Sequence, residues 1–177
     1  MNNVAYIGIG SNVGVQINKI DSAVELIDES EYCEVTAVSS IYESVPYGKV
    51  KQADFFNAVI EIKTYFKPKD LFHFLKSIEK QVGRKLAEKW GPREIDLDIL
   101  FYNDLIYSDE EIKIPHKDLL NRDFVVVPLI EIAPDLIHPE LCKKISEIGI
   151  FHPKADKNLT LEGKTYIIRK IPHKVLL

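Results

Sequence analysis

Two aspartates separated by one residue, Asp96 and Asp98, are the side chains of this sequence best suited to metal chemistry. If their segment is a β-strand, both carboxylates project from the same face, with Cβ atoms about 6–7 Å apart. Mg²⁺ prefers oxygen ligands and usually takes one or two protein carboxylates, completing its shell with water and substrate phosphates. The pair fits that requirement. Taken alone, the pair is better explained as the solvent-facing side of a half-polar strand, since alternation is common in antiparallel sheets.

Basic residues directly upstream of the pair favour a polyphosphate as the second ligand. Arg84, Lys85, Lys89 and Arg93 lie close together in sequence, and Trp90 with the following Gly-Pro stiffens the approach. Mg²⁺ can bridge phosphate oxygens while guanidinium groups neutralise the remaining charge. A solvated run of charge is the alternative. Neither a Gly-x4-Gly-Lys-Ser/Thr nor a Gly-x-Gly-x-x-Gly stretch is present, so we expect neither a P-loop nor a dinucleotide-binding fold.

Two further groups of residues suit a planar, polar ligand beside a phosphate. His116 and Arg122 could reach phosphates, and Phe124 could lie against a flat ring. Asn57 offers donors and an acceptor to the amide edge of a heterocycle, with Phe55 as a stacking face. Each residue by itself has a simpler explanation, since phenylalanine is usually a core residue and histidine or arginine a surface one.

The composition limits the classes of protein to consider. The chain has 177 residues, 46% of them hydrophobic and 28% charged, which is typical of one globular domain. A net charge of -4 argues against a protein that coats nucleic acid. Cys33 and Cys142 show no metal-binding spacing, so we expect buried small side chains rather than a disulfide or zinc site.

No stretch approaches the roughly 18 apolar residues that span a bilayer, and the first residues do not resemble a secretory signal. We therefore expect a cytoplasmic protein that acts as a monomer, with neither membrane nor nucleic-acid partners.

Hydrophobic periodicity predicts the elements that must position these residues. Strands are expected over 4–9, 34–42, 55–64, 96–102 and 164–171, and helices over about 16–30 and from Pro68 to Gly83. Residues 124–133 fit either a strand or a helix beginning near Pro128. This order predicts an α+β domain over 1–148, with a mostly antiparallel sheet and helices packed on one face. Residues 149–177 are expected to form an extension, a strand or tail packed on the same domain.

Several short motifs together resemble one known family, that of 6-hydroxymethyl-7,8-dihydropterin pyrophosphokinase of folate biosynthesis. The resemblance covers roughly residues 3–145, and the Trp-Gly-Pro-Arg…Asp-Leu-Asp run is its most specific part. The matching segments are Gly10–Asn12, Ser39–Tyr42, Phe55–Asn57, Trp90–Ile99, Pro115–His116, Asn121–Phe124 and Pro128–Pro134.

The resemblance implies a ferredoxin-like α+β sandwich that transfers the β,γ-pyrophosphoryl group of ATP to the pterin hydroxymethyl oxygen and releases AMP. It implies that Asp96 and Asp98 bind two Mg²⁺ ions, and that the catalytic residues are Arg84, Arg93, Asp96 and Asp98. The implied ATP-binding residues are Glu79, Arg84, Trp90, Arg93, Ile99, His116 and Arg122. The implied pterin-binding residues are Ser44, Val45, Tyr47, Phe55, Asn57 and Phe124.

The sequence departs from the family pattern at a few positions. Leu86 and Lys89 stand where relatives often have arginine, which removes bidentate phosphate contacts. Phe55 replaces a frequent tyrosine, and Asp123 replaces a frequent glycine. A non-catalytic pterin- or nucleotide-binding relative and a two-metal nuclease or nucleotidyltransferase are the alternatives. Loops 44–54 and 84–89 are expected to close over the substrates.

Overall fold

The computed structural model describes residues 1–47, 52–85, 91–148, 166–173 and 175. Its helices are α1 (Gln16–Asp28), α2 (Pro68–Gln81) and α3 (Asp123–Ile132), with short 3₁₀ turns at Leu119–Asn121 and Ile145–Glu147. Its strands are β1 (Asn3–Ser11), β2 (Cys33–Val38), β3 (Ile41–Ser44), β4 (Phe55–Thr64), β5 (Asp96–Tyr102), β6 (Tyr107–Ser108), β7 (Lys113–Ile114), β8 (Ile137–His138), β9 (Lys143–Lys144) and β10 (Ile167–Ile171).

Six of these strands form one antiparallel sheet in the order β10-β3-β4-β1-β5, with β2 also paired to β4. Strand β1 lies between β4 and β5. The pairs β6–β7 and β8–β9 are separate two-stranded ribbons. The α+β class with a mostly antiparallel sheet is therefore confirmed.

Helices α1 and α2 cover one face of the sheet. Each helix has its buried residues at three- and four-residue spacing, among them Ile20 and Val24 in α1 and Leu71 and Leu75 in α2. These side chains share a core with alternate residues of β1, β4 and β5. The second helix begins at Pro68 and is followed by Gly83, whose positive φ of 104° suits a residue without a side chain.

Helix α3 covers part of the opposite face, so the prediction that all helices pack on one face is wrong. Its residues Val125, Val126 and Leu129 share a second core with Val59 and Leu100. Those two strand residues alternate with the ones that face α1 and α2, and their apolar surface needs a cover of its own. The helix also starts at Asp123 and contains Pro128 within it.

The structure differs from the predicted strand over 34–42, which forms two strands interrupted at Ser39 and Ser40. Here Ser39 bonds Val59 twice, since its N–H donates to the Val59 carbonyl and its hydroxyl accepts from the Val59 N–H, both at 2.9 Å. After this interruption the chain continues as β3, which lies between β4 and β10 in the sheet. Cys33 is buried as expected, whereas Cys142 is exposed, contrary to the prediction.

Candidate active site

The register of three neighbouring strands brings the predicted site residues to one face of the sheet. Gly10 of β1 lies opposite Asn57 on β4 and opposite Asp96 on β5, and Gly8 lies opposite Asp98. Directly opposed residues of antiparallel strands point to the same face. A pocket of about 280 Å³ lies above these residues. Its lining includes both aspartates at one end and Phe55, Asn57 and Phe124 at the other.

At the charged end, Asp96 is held by two arginines. Its Oδ1 accepts a hydrogen bond from Nη1 of Arg84 at 2.8 Å, and its Oδ2 pairs with Nη1 of Arg93. Asp96 and both guanidinium groups are partly exposed, so they can exchange partners with an incoming anion. The two cations also reduce the repulsion expected between Asp96 and Asp98.

Glu79 organises this end from beneath. Its carboxylate is 2% exposed and accepts hydrogen bonds from Nζ of Lys76 at 2.6 Å and from the backbone N–H of Leu97 at 2.7 Å. It also pairs with Arg84. A buried carboxylate is stable only when paired in this way. Glu79 thereby links α2 to the start of β5 at Leu97, and it fixes the position of Arg84.

Lys76 is a residue of this end that sequence reasoning missed. Its Nζ donates to the carbonyl of Leu97 at 2.9 Å and lies 3.9 Å from Oδ1 of both Asp96 and Asp98. It lies one helical turn before Glu79, and that spacing was the only signal in the sequence. Its ammonium group compensates both carboxylates at once.

Asp98 and His116 face each other at the middle of the pocket. Burial raises the pKa of Asp98, but the charges of Lys76, His116 and Arg122 outweigh it and hold that pKa below its ordinary value. The Nε2 of His116 lies 3.9 Å from Oδ2 of Asp98. Burial lowers the pKa of His116, and Asp98 partly offsets this. Because Nδ1 of His116 accepts the N–H of Asp118 at 3.3 Å, the neutral ring carries its proton on Nε2.

At the aromatic end, Asn57 is oriented by β3. Its Nδ2 donates to Oγ of Ser44 at 2.9 Å and to the carbonyl of Tyr42 at 3.3 Å. The side chain is 5% exposed, and its Oδ1 lies 3.5 Å from the point that a Cβ on Gly10 would occupy. A Cβ at Gly10 would therefore lie in ordinary van der Waals contact with this amide, at the pocket lining.

Phe124 and Tyr47 form the far wall of this end. Their ring centroids lie 6.3 Å apart at 63°, an edge-to-face arrangement. The guanidinium of Arg122 lies 5.4 Å from the Tyr47 ring, and its Nη2 donates to Oδ2 of Asp118 at 3.2 Å. Within the described part of the chain, Nε of Arg122 is buried without a hydrogen-bond partner. Arg122 thus joins the aromatic wall to the charged end.

Asn12, in the loop after β1, connects the two ends from the side. Its Oδ1 accepts the N–H of Arg93 at 2.7 Å, and its Nδ2 donates to Gln52 and Ala53, both at 3.1 Å. The side chain is 4% exposed. The buried amide of Asn12 therefore connects the segment before β5 to the segment before β4.

Comparison with known proteins agrees with this geometry. The family model described as 7,8-dihydro-6-hydroxymethylpterin-pyrophosphokinase matches residues 6–134. The chain belongs to this family. The 2-amino-4-hydroxy-6-hydroxymethyldihydropteridine pyrophosphokinase of Aquifex aeolicus is 45% identical over 142 residues, which are 80% of this chain and 88% of the relative. The enzyme of the same name from Haemophilus influenzae is 42% identical over 135 residues, 76% of this chain and 84% of the relative.

Other relatives are longer proteins. The folic acid synthesis protein FOL1 of Dictyostelium discoideum is 39% identical over 140 residues, which are 79% of this chain but only 21% of FOL1. The crystal structure of Plasmodium falciparum HPPK-DHPS superposes with a TM-score of 0.64 at 17% identity, covering 81% of this chain and 43% of the solved one. That likeness shows the fold. The predicted resemblance and the ferredoxin-like fold of this pyrophosphokinase family are thus confirmed.

The structure places most of the predicted site residues around the one pocket. Ten of them line it: Ser44, Tyr47, Phe55, Asn57, Arg93, Asp96, Asp98, His116, Arg122 and Phe124. Glu79 and Arg84 lie behind Asp96 rather than in the lining. Ile99 is 5% exposed and packs in the core of the opposite face, so its main chain is the part that can face a nucleotide. Val45 is exposed, and Trp90, Leu86 and Lys89 lie outside the described residues.

The donor set suits Mg²⁺ held jointly by protein and substrate. Among the described residues, no group of three or more His, Cys, Asp or Glu side chains converges as a complete metal site. Two carboxylates on one strand face supply the one or two protein ligands that Mg²⁺ usually takes, and phosphate oxygens can supply others. In the same part of the chain, no helix has the length and apolarity needed to cross a membrane.

Proposed function

We propose that this chain transfers the β,γ-pyrophosphoryl group of Mg²⁺-ATP to the hydroxymethyl oxygen of 6-hydroxymethyl-7,8-dihydropterin, releasing AMP in folate biosynthesis. The observation that carries the proposal is a single pocket with two chemically different ends. One end joins paired carboxylates to arginines, and the other joins a buried amide to aromatic rings. Such a pocket suits a polyphosphate next to a flat polar bicycle.

The charged end is the proposed triphosphate site. Asp96 and Asp98 would hold two Mg²⁺ ions, which, when bound, neutralise phosphate charge and polarise the transferred group. Arg84 and Arg93 now pair with Asp96, and we propose that they turn to the phosphates when a metal takes over the carboxylate. His116 would donate its Nε2 proton to a phosphate oxygen, because its Nδ1 already accepts the N–H of Asp118.

The aromatic end is the proposed pterin site. Phe55 and Phe124 would stack on the two faces of the ring, and Asn57 would read its amide edge. Asn57 is already oriented by Ser44, so little side-chain freedom is lost on binding. Main-chain groups of Val45 and Tyr47 would complete recognition from the loop after β3. A buried amide rejects rings that lack the matching donor and acceptor pattern.

Transfer in this site would depend on positioning. The pterin oxygen forms a bond to the β-phosphorus, the bond from that phosphorus to the α-phosphate oxygen breaks, and the hydroxyl proton passes to water. Reactions of this kind are accelerated chiefly by orientation and by charge stabilisation, without a covalent intermediate. Glu79 and Asn12 would act indirectly, by holding Arg84 and Arg93 in place.

We also propose that the protein acts as a monomer, with ATP and the pterin as its substrates. We place the reaction in the cytoplasm. We propose that loops 44–54 and 84–89, of which residues 48–51 and 86–89 lie outside the described part of the chain, close over the substrates and exclude water.

The test is the identity of the nucleotide product. The protein is incubated with Mg²⁺-ATP, with and without 6-hydroxymethyl-7,8-dihydropterin, and the nucleotides are separated by chromatography. We expect AMP only when the pterin is present. ADP as the product would reject the proposal in favour of another phosphotransfer, and cleavage of an added oligonucleotide would favour a nuclease. Tight binding of both ligands without turnover would indicate a non-catalytic relative.

A further inference from the structure

The strand nearest the C-terminus, β10, is bonded to the aromatic end of the pocket. It pairs antiparallel with β3, with Ile171 opposite Ile41 and Ile167 opposite Ser44. Directly before it, the carbonyl of Tyr166 accepts the N–H of Val45 at 2.9 Å. This strand therefore extends the sheet beside the loop assigned to pterin recognition, although the family match ends at residue 134.

A buried carboxylate anchors the start of this strand. Asp123 is 1% exposed, and its Oδ2 accepts the N–H groups of Tyr166 at 2.8 Å and Ile167 at 3.1 Å. Its Oδ1 accepts the N–H of Phe124 at 2.8 Å. The Asp123 carboxylate, at a position where relatives often have glycine, is thus directed toward the start of β10 and holds that strand next to Phe124.

The ring of Tyr166 contacts both aromatic residues of the pocket wall. Its centroid lies 5.3 Å from that of Tyr47 at 54° and 6.0 Å from that of Phe124 at 85°. Tyr47 and Phe124 also contact each other, so the three rings form a closed cluster. Tyr47 and Phe124 line the pocket and Tyr166 does not. Tyr166 touches the wall from behind.

We propose that Tyr166 is a positioning residue for the pterin, holding the rings of Tyr47 and Phe124 at the orientation in which they receive it. The inference rests on the proposed function of the pocket. Each aromatic side chain has few rotatable bonds, so one additional edge contact removes much of its remaining freedom. A wall that is ordered before binding loses less entropy when the ligand arrives, and the gain is seen in affinity for that ligand.

Substitutions of the Tyr166 side chain distinguish the positioning role of its ring from the structural role of its main chain directly before β10. The hydrogen bonds of Tyr166 to Asp123 and Val45 come from its main chain, so Tyr166→Ala keeps them and removes the ring. Tyr166→Phe keeps the ring contacts. Ile168→Ala is the matched control, since Ile168 lies on the same strand with half of its surface exposed.

The experiment measures AMP release by wild type and the three variants, with the pterin and ATP varied in turn. We expect Tyr166→Ala to raise the KM for the pterin about three- to tenfold, the range that aromatic pair contacts support. We expect its KM for ATP and its kcat to stay within about twofold. Tyr166→Phe should restore the pterin KM, and Ile168→Ala should leave it unchanged.

An unchanged pterin KM in Tyr166→Ala, or an equal rise in both KM values, would overturn the inference while leaving the proposed function standing. Failure of the wild type to form AMP with the pterin would instead reject the proposed function, and the inference with it. If Tyr166→Ala does not fold, Tyr166→Leu keeps the apolar volume without a ring, and the same selective rise in pterin KM is required of it.

Discussion

The charged and aromatic ends of the pocket differ in how far apart in sequence their contacting residues lie. The charged end includes short-range pairs, such as Lys76 with Glu79 and Arg93 with Asp96, each three residues apart, beside longer contacts. The aromatic end uses β3, β4, α3 and β10, and the hydrogen bond from Tyr166 to Asp123 spans 43 residues. Much of the phosphate chemistry can therefore be specified by residues of one local motif, whereas the shape of the ring site depends on the completed fold.

The strongest way to break this comparison is to remove a carboxylate of the charged end. We expect Asp98→Ala to reduce turnover by on the order of a hundredfold to a thousandfold, the loss typical when one charge-stabilising group of a transition state is removed. Stability should change little, because the two nearest partners of the Asp98 carboxylate, Lys76 and His116, both lie 3.9 Å away. AMP release and urea unfolding measure the two effects.

Asp104→Ala is the matched control, since Asp104 is exposed in the turn after β5. Turnover of Asp98→Ala within about threefold of wild type would remove Asp98 from the metal site.

A second variant tests whether the charged end also contributes to the free energy of unfolding. Glu79→Gln should lower the free energy of unfolding by about 2 kcal/mol, because it removes the charge that pairs Lys76 and Arg84 around a buried carboxylate. The measurement is the urea midpoint at neutral pH. Glu25→Gln, an exposed position of α1, should shift it by less than about 0.5 kcal/mol. Equal midpoints for the two variants would contradict the structural role of Glu79.

Selectivity of the aromatic end is tested by Asn57→Ala. This change removes the proposed reader of the pterin edge and leaves the hydroxyl of Ser44 without its amide partner. We expect the KM for the pterin to rise about tenfold, the effect of one lost hydrogen bond in a buried site. The KM for ATP should move much less. Asn2→Ala, at an exposed residue before β1, is the control, and a matching rise in both KM values would count against the division into two ends.

The smallest expected effect concerns the anchor of β10. Asp123→Ala should destabilise the protein by about 1 kcal/mol, because three partly buried N–H groups lose their acceptor. Burial raises the pKa of Asp123 while backbone N–H groups oppose that rise, so part of the lost bonding is offset by relief of the buried charge. Hydrogen exchange of the amides of Tyr166 and Ile167 should quicken, while those of β1 stay protected.

Asp135→Ala is the control for this change, at a side chain that is 82% exposed. Unaltered exchange at Tyr166 and Ile167 in Asp123→Ala would mean that β10 is held by its pairing with β3 alone.

The accuracy of the sequence predictions follows the same division between local and distant contacts. The bounds of β4 and β5 were predicted correctly, because alternation with one fully apolar face leaves a strand little choice of register. The aspartates and Arg93 were identified through one compact motif, and His116 through a second segment that begins at Pro115. Lys76 was missed because nothing in its sequence neighbourhood distinguishes it from a solvated lysine of an amphipathic helix.

The other errors have a tertiary origin. Residues Val125 and Val126 favour a strand by propensity, but they form a helix because that helix covers Val59 and Leu100 on the second face of the sheet. The break at Ser39 depends on hydrogen bonds to Val59 in another strand. The role of Tyr166 depends on rings far away in sequence. None of these partners can be identified from local pattern alone.

Gly10 bears on how this fold tolerates insertions and deletions. Asn57 and Asp96 both lie opposite it, so the ring site and the metal site are separated by two strand spacings, about 10 Å. One residue added within β1 would exchange the glycines on the pocket floor for the isoleucines beside them. Changes of length must therefore fall in the loops, and the spacing between the ring site and the metal site is set by the backbone of the three strands.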